Sequence, residues 1–234
     1  MLRRIACLWL TSVASAIPAE PHYFTQQLID HAAAGSGTYS QRYYENATAF
    51  KGPGSPILMI MGGEGAIPPS TGLFYPWIVD VLASAFGALV IEPEHRFYGA
   101  SMPFGNASLT PEHMRLLTPQ QALADAVGLI THTRERLNCT AWGTPGYCPV
   151  LTFGGSYPGF LSAMMRLRYP AVVDGSYAAS APMRFYAQQV EQYAYYAVIT
   201  KSAKRASTGC PAAVQTALEL IQQAGRRSSD VAPP

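Results

Sequence analysis

Charge is scarce in this chain. Lys, Arg, Asp and Glu make up 13% of its 234 residues, against 49% apolar ones. The formal net charge is +2, and Arg3 and Arg4 lie in a segment that reads as removable, which leaves 14 basic against 14 acidic residues. So even a balance gives no field to draw in nucleic acid or a polyanionic surface. Cysteine is scarce too, at four, and its spacings do not resemble a zinc site. No metal is expected. No apolar run approaches the ~20 residues that span a bilayer. Gly62-Gly63-Glu64-Gly65 is not followed by Lys and Ser or Thr, which excludes a phosphate-binding P-loop. G-x-G-x-x-G does not occur there either, so a dinucleotide fold has little support, and no cofactor is implied. Histidine is absent after residue 132.

What is present is a packable globular chain, long enough for one large domain or one domain and part of another. Residues 1–16 read as a secretory signal: Arg3 and Arg4, the apolar stretch Ile5 to Val13, then Ala14-Ser15-Ala16 as a small-residue cleavage site. The mature chain is expected to begin at Ile17. Three acceptor sequons, at Asn46, Asn106 and Asn138, fit a glycoprotein of the secretory pathway. Cys7 would leave with the signal. Cys139 and Cys148 bracket a loop containing Gly and Pro, where a local disulfide fits, and Cys210 is then left over.

Short apolar runs at Ile57 to Met61, Ala88 to Glu92, Val150 to Phe153 and Val172 to Ala178 read as strands. Between them, Phe74 to Phe86, Gln120 to Leu137 and Phe160 to Arg168 read as helices, the second opened by Thr118-Pro119. Residues 21–44 read as polar and irregular. Strands alternating with helices imply an α/β fold with a parallel sheet covered on both faces. From Met183 the pattern changes to helices alone, over 184–206 and 211–224, and residues 225–234 read as a disordered tail.

Val150 to Phe153 runs into Gly154-Gly155-Ser156, with a helix directly after. Strand, tight glycine turn, central serine and helix make a nucleophile elbow, in which small neighbours leave room for an incoming carbonyl. The strict G-x-S-x-G spacing is broken, since Pro158 replaces the second glycine and Gly159 comes one residue late. Proline is tolerated in a first helical turn, although it biases Tyr157 away from helical geometry. A plain glycine turn with an incidental serine fits the same residues. If it is an elbow, the Tyr157 N–H is one expected oxyanion donor, and the loop at Gly63 and Glu64 supplies the other.

A serine hydrolase also needs a histidine base and an acid to orient it. His22, His31, His95, His113 and His132 all precede Ser156. Of the later aspartates, Asp174 falls at the sixth strand and Asp230 in the tail, neither where such an acid belongs. His95 is the best placed substitute base. A structural Glu94-His95-Arg96 cluster supporting its loop is the favoured reading of that residue.

Six blocks in order carry a resemblance: Phe24-Thr-Gln-Gln-Leu-Ile-Asp-His31, Gln41 to Tyr44, Gly62 to Gly65, Glu94-His-Arg-Phe-Tyr-Gly99 with Ser101 to Gly105, Gly154-Gly-Ser-Tyr157, and Tyr177 to Pro182. Together they resemble the lysosomal Pro-X carboxypeptidase and dipeptidyl peptidase II family of serine peptidases, over about residues 22–224. The resemblance implies an α/β-hydrolase fold over residues 17–182, with a helical cap beginning at 183–224. It implies an exopeptidase acting on proline-containing peptides, an acidic optimum, and a secreted, lysosomal or vacuolar setting. Members are often homodimers. Ser156 matches the nucleophile, while the family's aspartate and histidine lie beyond the cap, so this chain is expected to be a truncated form. An inactive secreted fragment that binds peptides or a partner through its sheet edge, or an esterase or lipase on the same fold, are the alternatives.

Overall fold

The computed structural model describes residues 21–70, 72–73 and 75–229; the expected signal segment lies outside them. Six strands form one sheet: β1 (Pro21–Leu28), β2 (Thr38–Asn46), β3 (Ile57–Ile60), β4 (Leu89–Pro93), β5 (Val150–Gly155) and β6 (Gly175–Ala179), in the order β1-β2-β4-β3-β5-β6. β1, β2 and β4 pair antiparallel, whereas β4, β3, β5 and β6 run parallel. The helices are α1 (Ala83–Phe86), which continues a π-helical turn at Trp77–Leu82, then α2 (Pro111–Met114), α3 (Pro119–Arg136), α4 (Ser156–Arg168), α5 (Met183–Tyr186), α6 (Ala194–Ala206) and α7 (Cys210–Ser229). This mixed, mostly parallel sheet with its crossover helices is an α/β fold of the hydrolase type.

Successive residues of β3 point to opposite faces, as the period of a strand requires. Ile57 and Met59 join Leu89, Ile91, Leu129, Ile130, Leu161 and Met165 in a core against α3 and α4. Leu58 and Ile60 join Val90, Phe153, Ile78 and Ala83 on the other face. A strand covered on both sides reads as an unbroken apolar run rather than as alternation, which is why β3 and β4 stand out in the sequence. α3 begins as its residues dictate. The Thr118 hydroxyl accepts the Gln121 N–H at 3.3 Å, and Pro119 occupies the first turn, where its missing N–H does no harm.

Residues 21–44 are not irregular; they hold β1 and most of β2. Their inward positions include polar residues. Gln27 and Gln41 are buried, and the Gln27 amide donates to Gln41 Oε1 at 2.6 Å and to the Asp125 carbonyl at 2.9 Å. A bulge between Phe24 and Gln27 breaks the alternation as well. The strand expected over Val172 to Ala178 is shorter and later. Val172 and Val173 turn back to the Tyr169 carbonyl, and Val173 fills the core from that turn.

The chain divides into two compact units, one ending at Pro182 and one beginning at Met183. In the second, the helix expected over 184–206 is interrupted. Gln188 takes a left-handed backbone, φ 55°, and α6 starts afresh at Ala194. α7 runs to Ser229, so residues 225–229, expected as disordered tail, continue the helix. Cys139 and Cys148 are joined by a disulfide. By loop closure a bridge of this span contributes about 2–3 kcal/mol. Cys210 is unpaired. No helix among the described residues is long and apolar enough to cross a membrane.

Candidate active site

β4, β3 and β5 are parallel neighbours, so the segments that leave their carboxyl ends converge on one edge of the sheet. These are Glu94-His95-Arg96 after β4, Gly62 to Gly65 after β3, and Ser156 after β5. Ligands of open parallel sheets bind at this edge.

Ser156 is the residue at which strand becomes helix. Gly155 is still extended, with φ −119° and ψ 150°, and Ser156 itself has φ 58°. A left-handed serine costs roughly 1–3 kcal/mol, and the turn holds it because the surrounding backbone leaves no alternative. A Cβ on Gly154 would lie 2.1 Å from the Pro158 carbonyl oxygen, and one on Gly159 would lie 2.9 Å from the Ala179 oxygen. The serine side chain is exposed. The helix begins at Ser156 rather than at Phe160, and it takes in Tyr157 and Pro158. The expected displacement of Tyr157 from helical geometry does not occur. Pro158 falls in the first turn, and its ring packs 2.9 Å from where a Cβ on Gly63 would be. That contact brings the Gly62–Gly65 loop against the serine turn.

Gly154→Ala is expected to push α4 off β5 and lower stability by about 1–3 kcal/mol, read as an earlier midpoint in urea. Gly175→Ala is the control, since its added carbon meets only Leu151 at 3.6 Å. Equal midpoints for the two variants would refute this account of the turn.

In the neighbouring loop the Gly65 N–H turns back to the Gly63 carbonyl at 2.9 Å. The N–H groups of Gly63 and Glu64 make no hydrogen bond to a described residue. The Tyr157 N–H lies in the first turn of α4, on the side of the strand ends. The candidate oxyanion donors Tyr157, Gly63 and Glu64 are therefore brought to the same edge as Ser156. Beside them opens a recess of about 220 Å³ lined by Gly63, Glu64, Ile67, Tyr75, Glu92 and Pro158. Tyr75 went unnoticed in the sequence. Its hydroxyl reaches within 3.1 Å of a Cβ position on Gly155, and no local pattern announces that contact.

The Glu94-His95-Arg96 block holds the loop together. The buried Glu94 carboxylate accepts from the N–H groups of Ile67 at 3.0 Å and Ala100 at 2.8 Å, and from the Ser101 hydroxyl at 3.0 Å. It also pairs with Arg42. Gly99 is required there, because any side chain would strike that carboxylate. Arg96 is fully buried, with Nε and Nη2 each 2.6 Å from an oxygen of Asp125. Burial works against its charge, and the Asp125 carboxylate more than compensates, so its pKa is raised. His95 does not face Ser156 as a base. Its Nε2 lies 2.9 Å from the Tyr157 phenol oxygen.

The other histidines are occupied elsewhere. His22 stacks on Tyr43 and His132 on Phe24. His31 binds Asp125 at 2.7 Å, and His113 meets the Ala107 carbonyl at 2.8 Å. Asp174 accepts from the N–H of Val150 at 2.7 Å, at the start of β5 and hence at the sheet edge opposite Ser156. Asp230 lies outside the described residues. Of the sequon residues, Asn106 and Asn138 are exposed and Asn46 is half-buried. Among the described residues no group of three or more His, Cys, Asp or Glu could hold a metal ion.

The sheet and this turn define the class, an α/β-hydrolase type of chain with a serine at its strand-to-helix turn. Residues 26–231 match the family described as Serine carboxypeptidase S28, and the chain belongs to it. Human lysosomal Pro-X carboxypeptidase is 31% identical over 97% of this chain and 46% of its own length. Mouse thymus-specific serine protease is 34% identical over 89% of this chain and 39% of its own. The chain thus spans less than half the length of these curated relatives. Among solved structures, dipeptidyl peptidase 4 of Porphyromonas gingivalis matches at 14% identity and a TM-score of 0.47, over 70% of this chain and 21% of its own.

Proposed function

We propose that this protein is a serine-type exopeptidase that cleaves peptides beside proline. Ser156 is the nucleophile, and the N–H groups of Tyr157 and of Gly63 or Glu64 take the developing oxyanion. The carrying observation is the left-handed Ser156 at the carboxyl edge of the sheet, packed through Pro158 against the Gly62–Gly65 loop. Attack by its Oγ on a peptide carbonyl would put negative charge on the carbonyl oxygen, where fixed N–H donors stabilise it without reorganising. The general base and its orienting acid come from groups other than the five histidines of this chain, each of which has a different partner. Helices α5–α7 are read as the beginning of a helical cap insertion. Kinship with a lysosomal carboxypeptidase supports proline-containing peptides as substrates and a lysosomal or secreted setting.

The test is hydrolysis by the protein isolated from its native source, on peptides with proline at the penultimate carboxyl position, on peptides with proline second from the amino end, and on simple esters. Cleavage of either peptide set, abolished by Ser156→Ala, is expected. Turnover confined to esters would replace this reading with an esterase, and peptide turnover that survives Ser156→Ala would remove Ser156 from the role.

A further inference from the structure

The residue after Ser156 carries a phenol, and that phenol is tied down. Tyr157 Oη lies 2.9 Å from His95 Nε2. The other ring nitrogen, Nδ1, lies 2.8 Å from the Arg96 carbonyl oxygen. A carbonyl only accepts, so Nδ1 carries the proton and Nε2 presents its lone pair. Tyr157 therefore donates its O–H to His95. The acceptor is itself held rigid. His95 is 5% exposed, and the Tyr98 ring meets it edge-on at 5.5 Å. The carbonyl that orients it belongs to Arg96, which is locked by Asp125.

We infer that His95 is a positioning residue for the serine turn: by accepting the Tyr157 phenol it fixes the Tyr157 backbone and so aims the Tyr157 N–H at the oxyanion. This rests on the oxyanion role of Tyr157 in the proposed function. The turn needs such a tether. Ser156 is in a strained backbone conformation, Pro158 contributes no N–H, and the orientation of one peptide unit between them decides where the donor points. An oxyanion donor is effective only within a few tenths of an ångström of the right place.

The acceptor role requires a neutral imidazole. Burial lowers the His95 pKa, against the Arg96 carbonyl and the Asp125 charge, which raise it; the Arg96 cation lowers it further and Glu64 raises it. Neutral His95 therefore persists to lower pH than an exposed histidine would. Once it is protonated, Nε2 becomes a donor and the phenol hydrogen must turn away.

The experiment is heteronuclear NMR on the 234-residue chain. His95 is expected as the neutral Nδ1–H form. His95→Phe and Tyr157→Phe should each shift the Ser156 and Tyr157 amide signals in the same direction, and the double variant should shift them no further than either. His95→Gln, whose carbonyl oxygen can accept the phenol, should restore most of the wild-type position. The wild-type Tyr157 amide should also move in a single step as pH falls below 6.5, a step lost in Tyr157→Phe. Tyr157→Phe removes a single oxygen, so it remains readable if His95→Phe fails to fold. Additive shifts, or lower stability with both amides unmoved, would overturn the inference. In the native-source protein, Tyr157→Phe should lower kcat about 10-fold or more with KM little changed, a fraction of the ~10²–10³ lost with a whole oxyanion donor. If Ser156→Ala leaves turnover intact while the NMR coupling holds, the functional reading fails and the tether stands. If Ser156→Ala abolishes turnover but the amides are uncoupled, the tether fails alone.

Discussion

Asp125→Ala is expected to lower the stability of the sheet unit by about 3–5 kcal/mol, the range for removing one partner of a buried ion pair. Against a typical domain stability of ~5–15 kcal/mol, that brings much of the chain to the edge of unfolding. Asp125 lies on α3 and is almost wholly buried. Both its oxygens hold the Arg96 guanidinium. One also receives the Tyr39 hydroxyl at 3.1 Å and the other meets His31 Nε2 at 2.7 Å. Burial, then the Asp125 charge, pushes the Tyr39 hydroxyl pKa well up, so that hydroxyl stays a donor. Without the carboxylate, Arg96 keeps its charge in a fully buried place, left with neutral acceptors: the Leu28 and Ile29 carbonyls at 3.0 Å, Gln121 Oε1 at 3.3 Å and the Leu116 carbonyl at 3.5 Å. The penalty is the orphaned charge rather than the loss of attraction. Replacing both partners by apolar residues, Asp125→Leu with Arg96→Met, should therefore recover part of the loss. Urea denaturation of the two single variants and the double variant, followed by circular dichroism, measures this. A double variant as unstable as the sum of the singles would sink the account.

That cluster also shows what a sequence hides. The buried strands β3, β4 and β5 were legible because both of their faces meet apolar groups, so their runs are unbroken. The serine turn was legible because the chain needs Gly154 and Gly159 where backbone passes backbone. β1 and β2 were not, since most of what they bury carries an amide or a phenol, Gln27, Gln41 and Tyr39 among them. Their hydrogen-bond partners, Asp125 and the Glu94 carbonyl, lie far along the chain. Polarity at an inward position looks like a loop until its partner is known. The same holds at the site. His95 could be placed near the turn from its strand end, but whether its ring faces the serine or the following tyrosine depends on the Arg96 carbonyl behind it. Asp125, on an otherwise ordinary amphipathic helix, carried no signal at all.

Turnover by the 234-residue chain is expected to be indistinguishable from that of its own Ser156→Ala variant. A serine hydroxyl is a poor nucleophile until a base takes its proton. The Ser156 hydroxyl makes no hydrogen bond to a described residue, and every histidine of the chain is otherwise engaged. His22 and His132 are stacked, His31 is on Asp125, His113 lies against Phe104 at 3.7 Å, and His95 holds Tyr157. To serve as base, His95 would have to release the phenol, leave the Arg96 carbonyl and turn within a packed loop. Without a base, the oxyanion donors and substrate binding would leave at most ~10³–10⁴-fold acceleration over water, far below the ~10⁶-fold or more of working enzymes. The comparison is between the 234-residue chain, its Ser156→Ala variant and the native-source protein on the same proline-containing peptides. Rapid, Ser156-dependent hydrolysis by the 234-residue chain would contradict this expectation. It would make His95 the base after all, and His95→Gln would then abolish the rate instead of preserving the turn.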